Sequence, residues 1–161
     1  MLRIRAATID DAALLSALIR EFAEFNHELD HVTIQAEDLA RDGFGPDPLF
    51  HALIAELSGD PAGYALYFGY YSTWTGRGLF LEDLFVRPSF RRHGVGKKLL
   101  VAIAQIAVDQ GCRHMRWEVR DWNKPAIELY RALGAEFREG LLPVLVSDRA
   151  LKRLAEQGEQ I

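Results

Sequence analysis

The sequence predicts an α+β domain built on one mixed, mainly antiparallel sheet of about seven strands, with helices on both faces. Three observations carry this. Short apolar runs at two-residue spacing recur between stretches whose apolar residues fall at helical spacing. Two of the runs, Gly63 to Tyr71 and Leu79 to Val86, flank the turn Thr75-Gly76-Arg77-Gly78 and read as a hairpin. The stretch from Leu81 to Lys98 reads as a strand that enters a basic, glycine-bearing turn and then opens a helix. With 161 residues, 49% of them hydrophobic, the chain is the length of one domain, 1–161, and can fill a core.

Each element has its own local signal. Leu2, Ile4 and Ala6 alternate with Arg3 and Arg5 as in a half-buried strand. Thr8 with Asp11 three residues on resembles a helix-start cap, and Leu14, Leu15, Leu18, Ile19, Phe22 and Phe25 then recur at helical spacing. A shorter helix spans Gln35 to Arg41 and ends at the breaker cluster Asp42-Gly43-Phe44-Gly45-Pro46. Phe50 to Glu56 is a strand and Ser58-Gly59-Asp60-Pro61 the turn that leads into the hairpin. Gly94 to Gln110 is a helix, with Val95, Leu99, Ala102, Ile103 and Ile106 on one face and Gly111 as its stop. Met115, Trp117 and Val119 alternate with charged residues in a further strand. Asn123 caps the next helix, which has Pro125 in its first turn and ends at Gly134. Glu136-Phe137 starts one more strand, Leu141 to Val146 is the last, and Ala150 to Gln157 is helical.

Composition excludes several function classes. The net charge of -4 argues against general nucleic-acid binding, which favours a strongly basic face. Cys112 is the single cysteine, so no internal disulfide can form and a reducing cytoplasm is the natural compartment. Arg3, Arg5, Asp10 and Asp11 argue against a signal peptide. The longest apolar run, Leu99 to Val108, contains Gln105 and is too short to span a bilayer, so no membrane association is expected. His27-Glu28-Leu29-Asp30-His31 fits the zinc-protease pattern literally, but that pattern needs a continuous helix, and Val32-Thr33-Ile34 come directly after it. Solvated loop histidines are the better reading, and no metal is expected.

The basic turn is the most informative stretch. From Val86 to Val108 there is no Asp or Glu, while Arg87, Arg91, Arg92, Lys97 and Lys98 stand in that window. A helix start presents free N–H groups and the positive end of the dipole, so it is suited to a pyrophosphate. Gly94 and Gly96 allow unusual dihedrals and clear side chains from an approaching phosphate. The pattern is neither a dinucleotide fingerprint nor a Walker A loop; what stands is Arg-x-x-Gly-x-Gly, Arg91 to Gly96. Alone this is weak. The apolar strand before it and Asn123-x-x-x-x-x-x-Tyr130 after it strengthen it.

With those motifs in order, the chain resembles the GNAT superfamily of acyl-CoA-dependent N-acetyltransferases, and within it the spermidine/spermine N-acetyltransferase family. The residues that carry the likeness are Asp42-Gly43-Phe44-Gly45, Tyr71-Ser72-Thr73-Trp74, Leu81-Glu82-Asp83, Phe90-Arg91 to Gly96, and Trp122-Asn123-x-Pro125-x-Ile127-x-x-Tyr130-x-x-x-Gly134. The likeness runs from about Leu2 to Phe137 and fades beyond Glu139. It implies a splayed sheet, acetyl-CoA as co-substrate and a homodimer with substrate sites near the interface. Leu84, Phe85 and Val86 would meet the pantetheine arm. The amides from Arg92 through His93, Gly94, Val95 and Gly96 to Lys97 would hold the pyrophosphate, with Arg91 fixing the loop. Asn123, Lys124, Pro125 and Ala126 would line the cofactor further along. Family members often carry Gly where this chain has Arg92.

The chemistry implied has three needs. A lysine-type amine, with a pKa of about 10.4, is neutral in only about one part in a few thousand at pH 7. Glu82 is the candidate general base, directly or through water; the competing reading is an ordinary surface or ion-paired glutamate. The backbone N–H of Phe85 or Val86 could serve the oxyanion. Tyr130 matches the family's acid for the departing thiolate; the competing reading is a core tyrosine.

A cationic acceptor should meet acidic or aromatic groups. Phe25, Asn26, Ser72, Thr73, Trp74, Glu82, Asp83, Arg116, Trp117 and Glu118 are the candidates. Polyamine-acetylating members carry an acidic residue where this chain has Ser72, and Tyr71-Ser72-Thr73-Trp74 is similar to the thialysine acetyltransferase branch. The expected acceptor is therefore a small molecule with a terminal aminoalkyl group: a thialysine-like amino acid or a short diamine. Acetylation of a protein amino group or an antibiotic, and a CoA-binding module without turnover, are the alternatives.

Overall fold

The structure is a computed structural model that describes residues 1–160. In chain order it contains β1 (Leu2–Ala6), α1 (Ala12–Phe25), α2 (Ala36–Phe44), β2 (His51–Leu57), β3 (Asp60–Ser72), β4 (Gly76–Val86), α3 (Val95–Asp109), β5 (His114–Trp117), α4 (Lys124–Ala132) and α5 (Asp148–Glu156). The strands form one sheet in the order β1-β2-β3-β4-β5. Every pairing is antiparallel except β4 with β5, which is parallel. Residues fall into two compact units, Met1–Trp122, which holds the whole sheet, and Asn123–Ile161.

Local chemistry accounts for the hairpins. Ser58 (φ 56°) and Gly59 (φ 95°) both take the left-handed conformation that a two-residue turn between right-twisted strands requires. At the next turn Gly76 does the same (φ 83°), and the Ser72 hydroxyl accepts the N–H groups of Trp74 (3.2 Å) and Thr75 (3.3 Å). Gly63 in β3 has a different reason. A Cβ there would lie 2.2 Å from the carbonyl oxygen of Phe85, so only glycine lets β3 and β4 approach at that level.

One face of the sheet packs a core of Leu15 and Leu18 from α1, Leu39 from α2, and Ala52, Ile54, Tyr64, Leu66 and Phe85 from the strands. Registered partners share a face. Tyr67 and Leu81, which pair, therefore lie on the other side, where the buried Val95, Leu99 and Ile103 of α3 belong. In the second unit, the Asn123 side chain accepts the Ala126 N–H at 3.4 Å and so caps α4, with Pro125 in its first turn.

Three expectations need correction. Strands at Glu136-Phe137 and Leu141 to Val146 do not form, and among the described residues the sheet has five strands rather than about seven. Pro143 lacks an N–H, and Leu142, Val144 and Leu145 are exposed, so this run has neither a ladder partner nor a core to face. The α2 helix does not stop at Arg41. It continues through Gly43, whose missing Cβ makes room for the Phe50 ring (2.2 Å from where that Cβ would sit), and so carries Asp42 onto the helix. Finally, β5 ends at Trp117 and not at Val119.

β1 is fastened to the start of α1 by charge. Arg5 donates from both terminal nitrogens to Asp11 (2.8 Å each) and from Nε to Glu56 (2.7 Å). This guanidinium holds the Asp11 carboxyl well below the usual carboxylate range, at about 2. A depressed folded-state pKa contributes stability that is complete above the unfolded value and is lost as the pH falls. Asp11→Asn should therefore cost about 2 kcal/mol at pH 7. Urea unfolding in a pH series should show that difference shrinking between about pH 4 and pH 2, the window set by the ordinary and depressed values.

Candidate active site

The site starts from an irregularity in β4. Leu66 pairs with Asp83 and Tyr67 with Leu81, so Glu82 is an extra residue with no partner on β3. Such a bulge switches the faces that the later residues of the strand present. Leu81 points toward α3, whereas Asp83 joins Tyr64, Leu66 and Phe85 on the face of α1 and α2. On the opposite edge, the parallel ladder with β5 ends at Leu81 and Trp117, while β4 runs on to Val86. The stretch Glu82 to Val86 is thus paired with β3 on one side only.

Below the bulge lies an open pocket of about 310 Å³. Its walls are the apolar Ile19, Ile34, Leu39, Leu49, Phe50 and Leu66, and it carries four carboxylates, Asp38, Asp42, Glu82 and Asp83. The fully buried Tyr64 donates its hydroxyl to Asp83 Oδ2 at 2.7 Å. Burial pushes the Asp83 carboxyl up, and the Tyr64 hydrogen bond pulls it partly back. Burial, then the neighbouring Asp83 charge, raises the Tyr64 phenol well above its ordinary value. Glu82 reaches solvent, yet its hydration is thinned by the surrounding protein. That desolvation, then the charges of Asp83 and Glu118, pushes its carboxyl up. A carboxylate tuned toward neutrality is a better proton acceptor for an ammonium than an ordinary one.

The loop after β4 leads into α3. Arg92 (φ 68°) and Gly94 (φ 74°) take left-handed conformations, and α3 begins at Val95 with no side chain capping it. The N–H groups of Val95, Gly96 and Lys97 lie ahead of the first helical bond, which runs from the Lys98 N–H to Gly94. The conformational argument holds for Gly94 and fails for Gly96, which sits inside the helix; a Cβ there would only touch Val86 at 3.6 Å. Arg91 is built into the fold: its Nε donates to the Val86 carbonyl (3.1 Å) and its guanidinium lies 4.5 Å above the Phe25 ring. His93 pairs through Nδ1 with the Arg91 carbonyl (2.9 Å). Of the five cations in the window, Arg87 is taken by Glu21 (2.6 and 2.8 Å) and Lys98 by the Leu2 carbonyl (3.0 Å). Arg92 and Lys97 are exposed.

The remaining candidates fall in several places. Phe25 packs against Phe85 (6.5 Å) and Trp122 (5.6 Å), and Asn26 caps the end of α1 beside it. Ser72, Thr73 and Trp74 stand at the hairpin tip, roughly 17 Å along the strand from the bulge at about 3.3 Å per residue. They do not share the pocket within one chain, and Trp74 is 92% exposed. Arg116 and Trp117 end β5, and Glu118 comes next, near enough to act on Glu82. Tyr130 is buried on α4, and burial raises its phenol; Lys124, Pro125 and Ala126 open the same helix. His27 and His31 do not lie on one helix face: α1 has ended at Phe25, His27 has φ 59°, and both are exposed. Sequence reasoning missed Asp38 and Asp42. Their four-residue spacing was a usable signal, hidden by ending α2 at Arg41.

Comparison with known proteins agrees with this architecture. A sequence profile of the acetyltransferase (GNAT) family matches residues 12–135, which runs from the first unit into the second. A thialysine N-epsilon-acetyltransferase of Sus scrofa is 45% identical over 140 residues, 82% of each chain. The protein of that name from Mus musculus is 42% identical over 164 residues, covering 95% of this chain and 96% of its own. Among solved structures, an integron cassette protein from the mobile metagenome of V. cholerae has the same fold, with a TM-score of 0.80 at 21% identity over 96% of this chain and 98% of its own. The sheet that parts beyond Leu81, the uncapped start of α3 and these matches lead to one conclusion: the chain belongs to the acetyltransferase (GNAT) family.

Proposed function

We propose that the chain transfers an acetyl group from acetyl-CoA to the terminal primary amine of a small molecule, a thialysine-like amino acid or short diamine, by direct transfer. The observation that carries this reading is the acidic pocket beneath the β4 bulge, which joins the stretch of β4 left unpaired by β5. The names of the relatives support the acceptor class.

The residues fit the co-substrate. The free amides at the start of α3, with the positive end of the helix behind them, suit a diphosphate. Leu84, Phe85 and Val86 offer strand edge to an extended arm, and Asn123 to Ala126 offer the start of α4. When bound, acetyl-CoA supplies the activated thioester. Glu82 accepts a proton from the ammonium of the acceptor, so that its nitrogen can attack. The N–H of Phe85 or Val86 stabilises the charge on the carbonyl oxygen, and Tyr130 gives a proton to the departing sulfur. The GNAT domain, in this reading, comprises both compact units, needs no metal and binds neither nucleic acid nor membrane. It works in the cytoplasm as a homodimer, whose formation would cover exposed apolar residues such as Trp74, Leu142 and Leu145.

The reading is tested by thiol release from acetyl-CoA with a panel of amines: thialysine and short diamines should be the best acceptors, and no release with any of them would overturn it. Glu82→Gln should lower kcat by about 10²-fold or more, with little change in the KM for acetyl-CoA. It should also remove the acid limb of the pH–rate profile, a limb that lies above the ordinary glutamate value of about 4.3 because the Glu82 carboxyl is pushed up. Tyr130→Phe should lower kcat by a similar factor while calorimetry finds CoA affinity within about threefold of wild type. Small and equal effects on both quantities would assign Tyr130 to the core.

A further inference from the structure

We infer that the acceptor's far end is an α-amino-acid head group, and that Arg41, held between Asp38 and Asp42 on α2, selects it by pairing with its carboxylate. This rests on the reading of the pocket as the amine site. The pocket has two acidic ends joined by apolar walls. At one end stand Glu82 and Asp83, on and beside the bulge. At the other stand Asp38 and Asp42, one helical turn apart on α2.

The two ends differ in what balances their charge. No cation pairs with Glu82 or Asp83 among the salt bridges of the described residues, and Asp83 takes only the neutral Tyr64 hydroxyl. At the α2 end a guanidinium sits between the carboxylates. Arg41 donates from Nε to Asp42 Oδ1 (2.8 Å) and from Nη2 to Asp42 Oδ2 (3.0 Å), and its Nη1 lies 3.0 Å from Asp38 Oδ1. Asp38 is itself fixed, because its Oδ2 accepts the Gln35 N–H at 2.9 Å. Each terminal nitrogen of Arg41 carries a second N–H beyond those contacts, and its side chain is 67% exposed.

This order of charges, minus, plus, minus, matches a zwitterion and not a lone cation. An α-ammonium meets a carboxylate of Asp38 or Asp42, while an α-carboxylate meets the free N–H groups of the planar guanidinium. A diamine finds only the carboxylates there, already shared with Arg41, and its second ammonium is repelled by the guanidinium. Rejection of the bare cation therefore comes from the same residue that attracts the amino acid. Ile34, Leu39 and Leu49 provide the apolar wall for the methylene or thioether stem.

Thialysine and bis(2-aminoethyl) sulfide separate the possibilities, because the second is the first without its carboxylate and has the same reacting end. After allowance for the two identical ends of the sulfide, the wild-type chain should favour thialysine by about tenfold or more in kcat/KM. Arg41→Gln should lose about tenfold on thialysine, mainly in KM, and leave the sulfide unchanged or improved. Arg41 is on the surface and outside the proton-transfer machinery, so turnover of the sulfide also reports that the variant is folded. Equal preference in the wild type, or an unchanged ratio in Arg41→Gln, would overturn the role of Arg41 while leaving the amine site standing. Acetylation of neither compound by the wild type would overturn the amine site and this inference together.

Discussion

One unpaired residue in β4 sets the geometry on which the rest of the molecule depends. Because Glu82 has no partner on β3, the strand changes the faces it presents partway along its length. Leu79 and Leu81 serve the side of α3, and Asp83 and Phe85 serve the side of α1 and α2. The pairing with β5 ends at the same level, at Leu81 and Trp117. A regular strand would put Glu82 opposite Leu66 and remove Asp83 from Tyr64. The acidic floor of the pocket is thus a product of register and not of loop placement.

The loop that precedes α3 is positioned from the same core. Phe85 packs on Phe22 (5.4 Å), Phe25 and Tyr64, Phe25 packs on Trp122, and Arg91 covers the Phe25 ring. Arg87 closes the other side of this corner by gripping Glu21 on α1 and donating to the Pro61 carbonyl (2.8 Å). The cations nearest the loop are therefore largely structural. They fix the backbone so that its amides face outward, and the attraction for an anion comes mainly from the helix start. An amide cradle of this kind is set before any ligand arrives, which is the condition for it to act without reorganising.

Much of the fold was legible because both periodicities are strong. The helices α1 and α3 and the hairpin of β3 with β4 are dictated by spacing and turn chemistry alone. The bulge was not legible, for a physical reason. Leu79, Leu81 and Phe85 keep a two-residue rhythm in the sequence, yet the extra residue between Leu81 and Asp83 sends Phe85 to the opposite face. Both faces are covered by helices, so both demand apolar residues and the alternation carries no trace of the switch. The end of α2 was misread for a related reason. Gly43 looks like a stop in isolation, but packing against Phe50 outweighs its helix propensity. The segment from Leu141 to Val146 shows the limit of composition, since an apolar run becomes a strand only when another strand satisfies its backbone.

The two neighbouring acids differ in how freely they could be exchanged during divergence. Asp83 is tied through Tyr64 into the packed interior, so altering it would disturb a buried hydrogen bond as well as the site. Glu82 stands outside the ladder and toward solvent, where the sheet asks little of its side chain. Natural or directed variation at that single position can therefore explore new reactivity without eroding foldability, which makes the irregular residue the natural point of entry for evolving other chemistries on this scaffold.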